Sequence, residues 1–164
     1  MKTKSLTGLL VVFLLVGMLD SCKKSEYTIE DKLVTANMTF VRTNFVPFEF
    51  DTVTQQPLKA NITMEGTAIF SDLGELLFVS NFKADLITGL GYDFEATYTG
   101  ASQNDSFNVS ATAERLQDGS IRLSEQLYNG KGKFARIKGE GETIVMLNAD
   151  GSAGTATIKW TVTY

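Results

Sequence analysis

Apolar and polar residues alternate along most of the chain from Leu33 onward. This period of two places alternate side chains on opposite faces of a β-strand, so each such segment predicts a strand with one buried face. The last segment is the clearest, because its apolar residues alternate with threonines and a lysine. The segments with this pattern are 33–40, 58–70, 75–86, 92–98, 107–114, 121–127, 142–147 and 155–164.

Turn-forming residues separate these segments. Asp118-Gly119 and Asp150-Gly151 are typical of tight hairpins. Pro47 indicates that the stretch 44–51 is an edge, a corner or a loop. No segment shows a helical period over about ten residues. The sequence therefore predicts an all-β protein, a single eight-stranded antiparallel β-barrel over 33–164, because closure removes the unpaired edges of a sheet.

A glycine-rich stretch at 129–141 predicts a corner between strands. A short helical turn is expected at 133–136, and the second pair of glycines should begin a new strand. The spacing fits neither the phosphate-binding loop pattern nor the dinucleotide fingerprint. The glycines of this stretch are Gly130, Gly132, Gly139 and Gly141.

The first residues have the order of a secretory signal peptide. Lys2 and Lys4 precede an apolar run at 6–19, which is short for a membrane-spanning helix. Cys22, the only cysteine, follows that run in a setting that resembles the bacterial lipobox. We expect a lipoprotein signal peptide at 1–21, acylation of Cys22, a tether at 22–32 and a lipid-anchored position in the bacterial cell envelope, with the outer membrane favoured. A signal peptide without lipidation, or a free thiol, is the alternative.

Composition excludes several classes of chemistry. The net charge of −4 argues against a nucleic-acid partner, which would require a basic face. The absence of histidine excludes Ser-His-Asp and Cys-His systems and histidine-ligated metals. The sequence thus predicts neither a cofactor nor a metal site, and only carboxylates, tyrosines and lysines remain as candidate acids and bases.

Strand parity selects the candidate site residues. Glu125 lies in phase with apolar residues of its segment, and Arg42 lies in phase with Met38 and Phe40, so both should point into the barrel. They could bind a ligand, form a structural ion pair, or lie at the barrel mouth or be turned outward by a bulge. Tyr98 and Trp160 are inward aromatic residues that complete the predicted ligand-binding set.

The order of two glycine motifs resembles the allene oxide cyclase-like barrels, relatives of the dirigent and calycin-type barrels. Gly66 through Leu73-Gly74 is similar to their early hairpin, and the stretch 130–139 is similar to their late glycine corner. The resemblance implies a barrel fold, a homo-oligomer that is often a trimer, and an apolar cavity for a fatty-acid-derived or phenolic ligand. It also implies cyclase or isomerase activity as one possible function.

The main functional hypothesis is a lipid-anchored envelope barrel that binds a small apolar ligand or a partner protein. The alternatives are a cyclase-like isomerase, and a structural subunit that packs through outward apolar residues such as Ile69, Leu77 and Val79. The volume of the barrel interior tests the two hypotheses that involve a ligand. A void smaller than about 30 Å³, one water's share of the liquid, would exclude both of them.

Overall fold

The computed structural model describes residues 31–164, which form one closed antiparallel barrel. Consecutive strands pair with each other, and β1 pairs with β8 to close the barrel. The predicted signal peptide, Cys22 and most of the predicted tether lie outside the described residues. The strands are β1 (Lys32–Phe50), β2 (Pro57–Phe70), β3 (Gly74–Asp85), β4 (Leu90–Thr99), β5 (Ser106–Arg115), β6 (Ile121–Lys131), β7 (Lys138–Leu147) and β8 (Ala153–Thr163).

The burial of side chains follows the predicted alternation of apolar and polar residues. In β8 every second residue from Ala156 to Val162 is buried, while the threonines and the lysine between them face solvent. An aromatic cluster fills one half of the interior: Tyr98 stacks on Phe107 with ring centroids 5.4 Å apart and meets the edge of Trp160 at 5.2 Å. The all-β, eight-stranded barrel expected from the sequence is confirmed.

The two ends of the barrel differ in what they connect. In an up-and-down barrel successive connections alternate between ends, so the β2–β3, β4–β5 and β6–β7 connections share one end with the start of β1. The ion pair between Lys32 and Asp72 of the β2–β3 turn, 2.6 Å long, marks this entry end. The β1–β2, β3–β4, β5–β6 and β7–β8 connections form the opposite end, called the mouth end below.

The second half of β1 is an edge. Pairing with β8 ends at Val41, after which β1 pairs only with β2 among the described strands. Of the alternatives for the region around Pro47, the edge interpretation is therefore correct. A register shift follows Arg42, and two more lie on either side of Glu49. Bulges and proline discourage pairing with a further strand. Residues 43–50 are called the lip below.

Strand parity fails at one place in β4. Uninterrupted alternation would turn Tyr92 inward with Phe94, yet Tyr92 is 37% exposed. The register between β3 and β4 shifts beside Asn81 and Lys83, and Asp93 adopts a left-handed φ of 53°. Such a bulge inserts an extra residue and reverses the side-chain parity beyond it.

The glycine corner is present with a small shift. A 3-10 helix spans Gly132–Phe134, one residue earlier than the predicted helical turn, and β7 begins at Lys138. Gly132 has a positive φ of 59°, as a sharp corner requires. Gly139 and Gly141 lie within β7 and are absent from the positive-φ residues, so close backbone approach explains them better than backbone conformation.

Candidate ligand-binding site

A cavity of about 240 Å³ occupies the half of the barrel nearest the mouth end. Its volume exceeds the ~150 Å³ that holds benzene in an engineered protein cavity, so the barrel is not completely filled. Most of its wall is apolar, as expected of a site for a small organic molecule. The wall includes Met38, Met64, Phe78, Phe82, Phe94 and Leu123.

Small residues create this space. Ala84, Gly91 and Ala113 line the cavity at positions where larger inward side chains would occupy it. Phe82 and Phe94 stack with centroids 5.5 Å apart along one side. A Cβ on Gly91 would lie 2.9 Å from the Phe82 ring, so the glycine allows this stack to form.

Charged groups line the cavity only near the mouth end. The Arg42 guanidinium lies over the ring of Phe45, the inward phenylalanine of the lip, with its Cζ 5.1 Å from the ring centroid. Hydrogen bonds from Ser152 lower the pKa of Asp150, and the charge of Arg42 contributes to this shift. Amide donors of Thr88 and Ile87 likewise lower the pKa of Asp85 at the end of β3.

Arg115 holds two connections of the mouth end together. Its Nη2 donates to the carbonyl of Gly89, which lines the cavity, at 2.8 Å. Its Nη1 donates to the carbonyl of Gly119 in the β5–β6 turn at 3.2 Å. Because hydrogen bonds to charged donors are stronger than neutral ones, this arginine restrains the rim of the cavity.

Ser80 is a polar residue that the sequence reasoning missed. It points inward from β3 between Phe78 and Phe82, lines the cavity and is fully buried. Its hydroxyl has no hydrogen-bond partner among the described residues. The available signal was a serine at an inward position of an otherwise apolar strand face.

Glu125 lies inside the barrel, as its parity predicts, and is 3% exposed. Its Oε2 accepts hydrogen bonds from Thr143 Oγ1 and Trp160 Nε1, each 2.6 Å long. Burial raises the pKa of Glu125 to about 7, against the opposing effect of these bonds. The alternatives in which Glu125 is exposed, or pairs with Arg42, are wrong: within 31–164 no salt bridge joins the two residues.

Tyr98 belongs to the same cluster as Glu125. Its hydroxyl donates to Met38 Sδ at 3.9 Å, and burial, together with the charge of Glu125, raises its pKa well above the ordinary value. The structure thus brings Glu125, Tyr98 and Trp160 together in the aromatic core and places Arg42 apart, at the cavity mouth. Only Arg42 of these four lines the cavity, and a ligand-binding role for any of them stays a prediction.

No protein-family model, curated protein or solved structure matches the chain. The class of protein that the fold defines is a closed eight-stranded antiparallel barrel, here with an apolar cavity at one end. Residues 31–164 contain no helix long and apolar enough to cross a membrane. In the same part of the chain, acidic residues form no cluster suited to a metal ion.

Proposed function

We propose that this protein is a lipid-anchored component of the bacterial cell envelope whose barrel binds a small apolar ligand. The cavity of about 240 Å³, with its apolar wall and its charges confined to the mouth, is the observation that supports this function. A pocket of this kind gains affinity by removing apolar ligand surface from water. The fold alone would not support it, since one barrel architecture serves many functions.

The two ends of the barrel suit such an anchored module. The chain enters β1 at Lys32, beside the β2–β3 turn, and the cavity opens at the opposite end. An acylated Cys22 would therefore attach to the membrane on the side away from the cavity mouth. The ligand would enter from the compartment that the mouth end faces.

Binding is favoured over cyclase or isomerase chemistry. A buried carboxyl with a pKa of about 7 is a suitable general acid or base. Glu125 nevertheless lies outside the cavity wall, where its Oε2 holds Thr143 and Trp160 in place. Membership of the allene oxide cyclase-like family is proposed on the sequence motifs alone.

A separate observation, an exposed apolar patch, supports a second role in assembly. Ile69 and Leu77 are 65% and 58% exposed on the outer faces of the neighbouring strands β2 and β3, and Val79 extends this patch. Exposed apolar patches mark contact surfaces. A homo-oligomer or a partner protein would cover them without blocking the cavity mouth.

Filling the cavity is expected to abolish ligand binding. We predict that toluene, naphthalene or 1-octanol raises the melting temperature of the wild-type protein, because a ligand that binds only the folded state stabilises it. Ala84→Leu should lose this shift, since its side chain would occupy the cavity. The matched control is Thr112→Leu on the exposed face of β5. Absence of a shift in wild type, or a full shift in Ala84→Leu, would refute the ligand-binding function.

The lipid anchor is tested separately. Wild type should fractionate with membranes, and Cys22→Ser should move to the soluble fraction, because acyl chains contribute about 0.8 kcal/mol for each buried CH₂. Mass spectrometry of the mature N-terminus should show the acyl groups. Equal membrane fractions for the two proteins would exclude Cys22 as the anchor.

A further inference from the structure

The hydroxyl of Ser80 is an unusual feature of the cavity wall. A buried polar group without a partner destabilises the folded state, and such groups are rare in folded proteins. Ser80 is 0% exposed, and its Oγ finds no partner in the described part of the chain. Its neighbours across the strand pairs are Met64 and Ala96, neither of which offers a strong side-chain hydrogen bond.

We propose that Ser80 recognises a neutral hydrogen-bonding group, a hydroxyl or a carbonyl, on an otherwise apolar ligand. This inference rests on the proposed function and names the class of ligand that the cavity accepts. A serine hydroxyl both donates and accepts, so it suits either group. The ligand would bind with this group at Ser80 and with its apolar surface against Phe78, Phe82 and the methionines of the wall.

The position of the charges argues that the recognised group is neutral. The ionisable residues that line the cavity are Arg42, Asp85 and Asp150. Asp85 ends β3 and Asp150 belongs to the β7–β8 turn, while Arg42 lies beside that turn. Met64 separates Ser80 from Arg42 in the row of paired strands, and the Arg42 guanidinium is directed to the Phe45 ring. A charged group among the apolar side chains around Ser80 would lose its hydration without an opposite charge. An ionic group on the ligand would instead remain near Arg42.

A matched pair of ligands tests the recognised group. p-Cresol and p-xylene differ by a hydroxyl in place of a methyl, so their relative affinities report the contact that the hydroxyl makes. Calorimetry or ligand-observed NMR would give both dissociation constants for wild type and for Ser80→Ala. We expect the substitution to weaken p-cresol about threefold to tenfold, the range of one neutral hydrogen bond, and to leave p-xylene within about twofold. Ser124→Ala, on the exposed face of β6, should change neither.

Each outcome of this experiment is decisive. Unchanged p-cresol affinity in Ser80→Ala would overturn the inference and leave the proposed function intact. Failure of both compounds to bind wild type would overturn the function and the inference together. A p-toluate affinity that falls in Ser80→Ala as much as the p-cresol affinity does would contradict the requirement for a neutral group at Ser80.

The stability of the ligand-free protein gives a second readout. Ser80→Ala should melt at or above the wild-type temperature, because the hydroxyl has no partner to lose. A clear fall in melting temperature would show that Ser80 already has a structural hydrogen bond, and the inference would be wrong.

Discussion

Glu125→Gln is expected to remove a loss of stability that wild type undergoes as the pH rises from about 4.5 to about 7. Burial raises the pKa of Glu125 from 4.5 to about 7, so the folded protein holds this proton more tightly than the unfolded chain. The resulting stabilisation is complete below the unfolded value, disappears as the pH passes the folded value, and is constant above it. A shift of this size corresponds to about 3 kcal/mol in the free energy of unfolding.

Glutamine tests this because it cannot ionise. Its amide oxygen can still accept the bonds that Thr143 and Trp160 donate to Oε2. At pH 8 the variant should therefore be more stable than wild type, and near pH 5 the difference should shrink or reverse. Urea denaturation at several values between pH 5 and pH 8 measures both proteins.

The comparison between proteins isolates Glu125 from other carboxylates. Hydrogen bonds lower the pKa of Asp51, Asp72 and Asp118, so these groups stabilise the fold above their unfolded values and lose that effect only in more acidic solution. Glu75→Gln, at the exposed start of β3, serves as the control for the removal of a surface carboxylate. The same pH dependence in wild type and Glu125→Gln would show that the carboxyl does not titrate in this range.

Sequence reasoning predicted the barrel because each strand has one apolar face, and parity alone placed Glu125 inside. It did not predict the partners of Glu125, since these depend on the register of distant strands. Glu125 lies opposite Gly141, and Gly141 lies opposite Trp160 on the next strand. The registers of the β6–β7 and β7–β8 pairs together produce this alignment.

Strand parity also predicts the wrong side-chain direction beyond a bulge, and a bulge leaves only a weak signal in the local sequence. The shift in β4 turned Tyr92 outward, and the shift beside Arg42 changed the path of the lip. The sequence could not show whether the barrel encloses a cavity, and the reason is different. A row of inward alanines can either leave space or receive larger neighbours, and only the packed structure distinguishes these outcomes.

Gly141→Val is expected to cost about 3–5 kcal/mol, because it combines overpacking with the loss of a buried hydrogen bond. A Cβ on Gly141 would overlap the carbonyl oxygen of Lys159 and lie 2.6 Å from Cδ1 of Trp160. The glycine therefore provides the gap across which the indole reaches Glu125 from two strands away. Displacement of the indole would leave a buried carboxyl with Thr143 as its remaining partner.

Gly139→Val provides a graded comparison in the same strand. Its Cβ would overlap the carbonyl oxygen of Thr161 and lie 3.0 Å from both Cα and Cγ1 of Val162, whose side chain is apolar. We expect about 1–3 kcal/mol for this overpacking alone. Thr161→Val, exposed on β8, should stay within about 0.5 kcal/mol of wild type.

Urea denaturation measures the stability of all of these variants, and the fluorescence of Trp160, the only tryptophan, reports on the environment of the indole. We expect a red-shifted emission from folded Gly141→Val and no such shift from Gly139→Val. Equal losses of stability with unchanged emission would show that Gly141 does not position the indole.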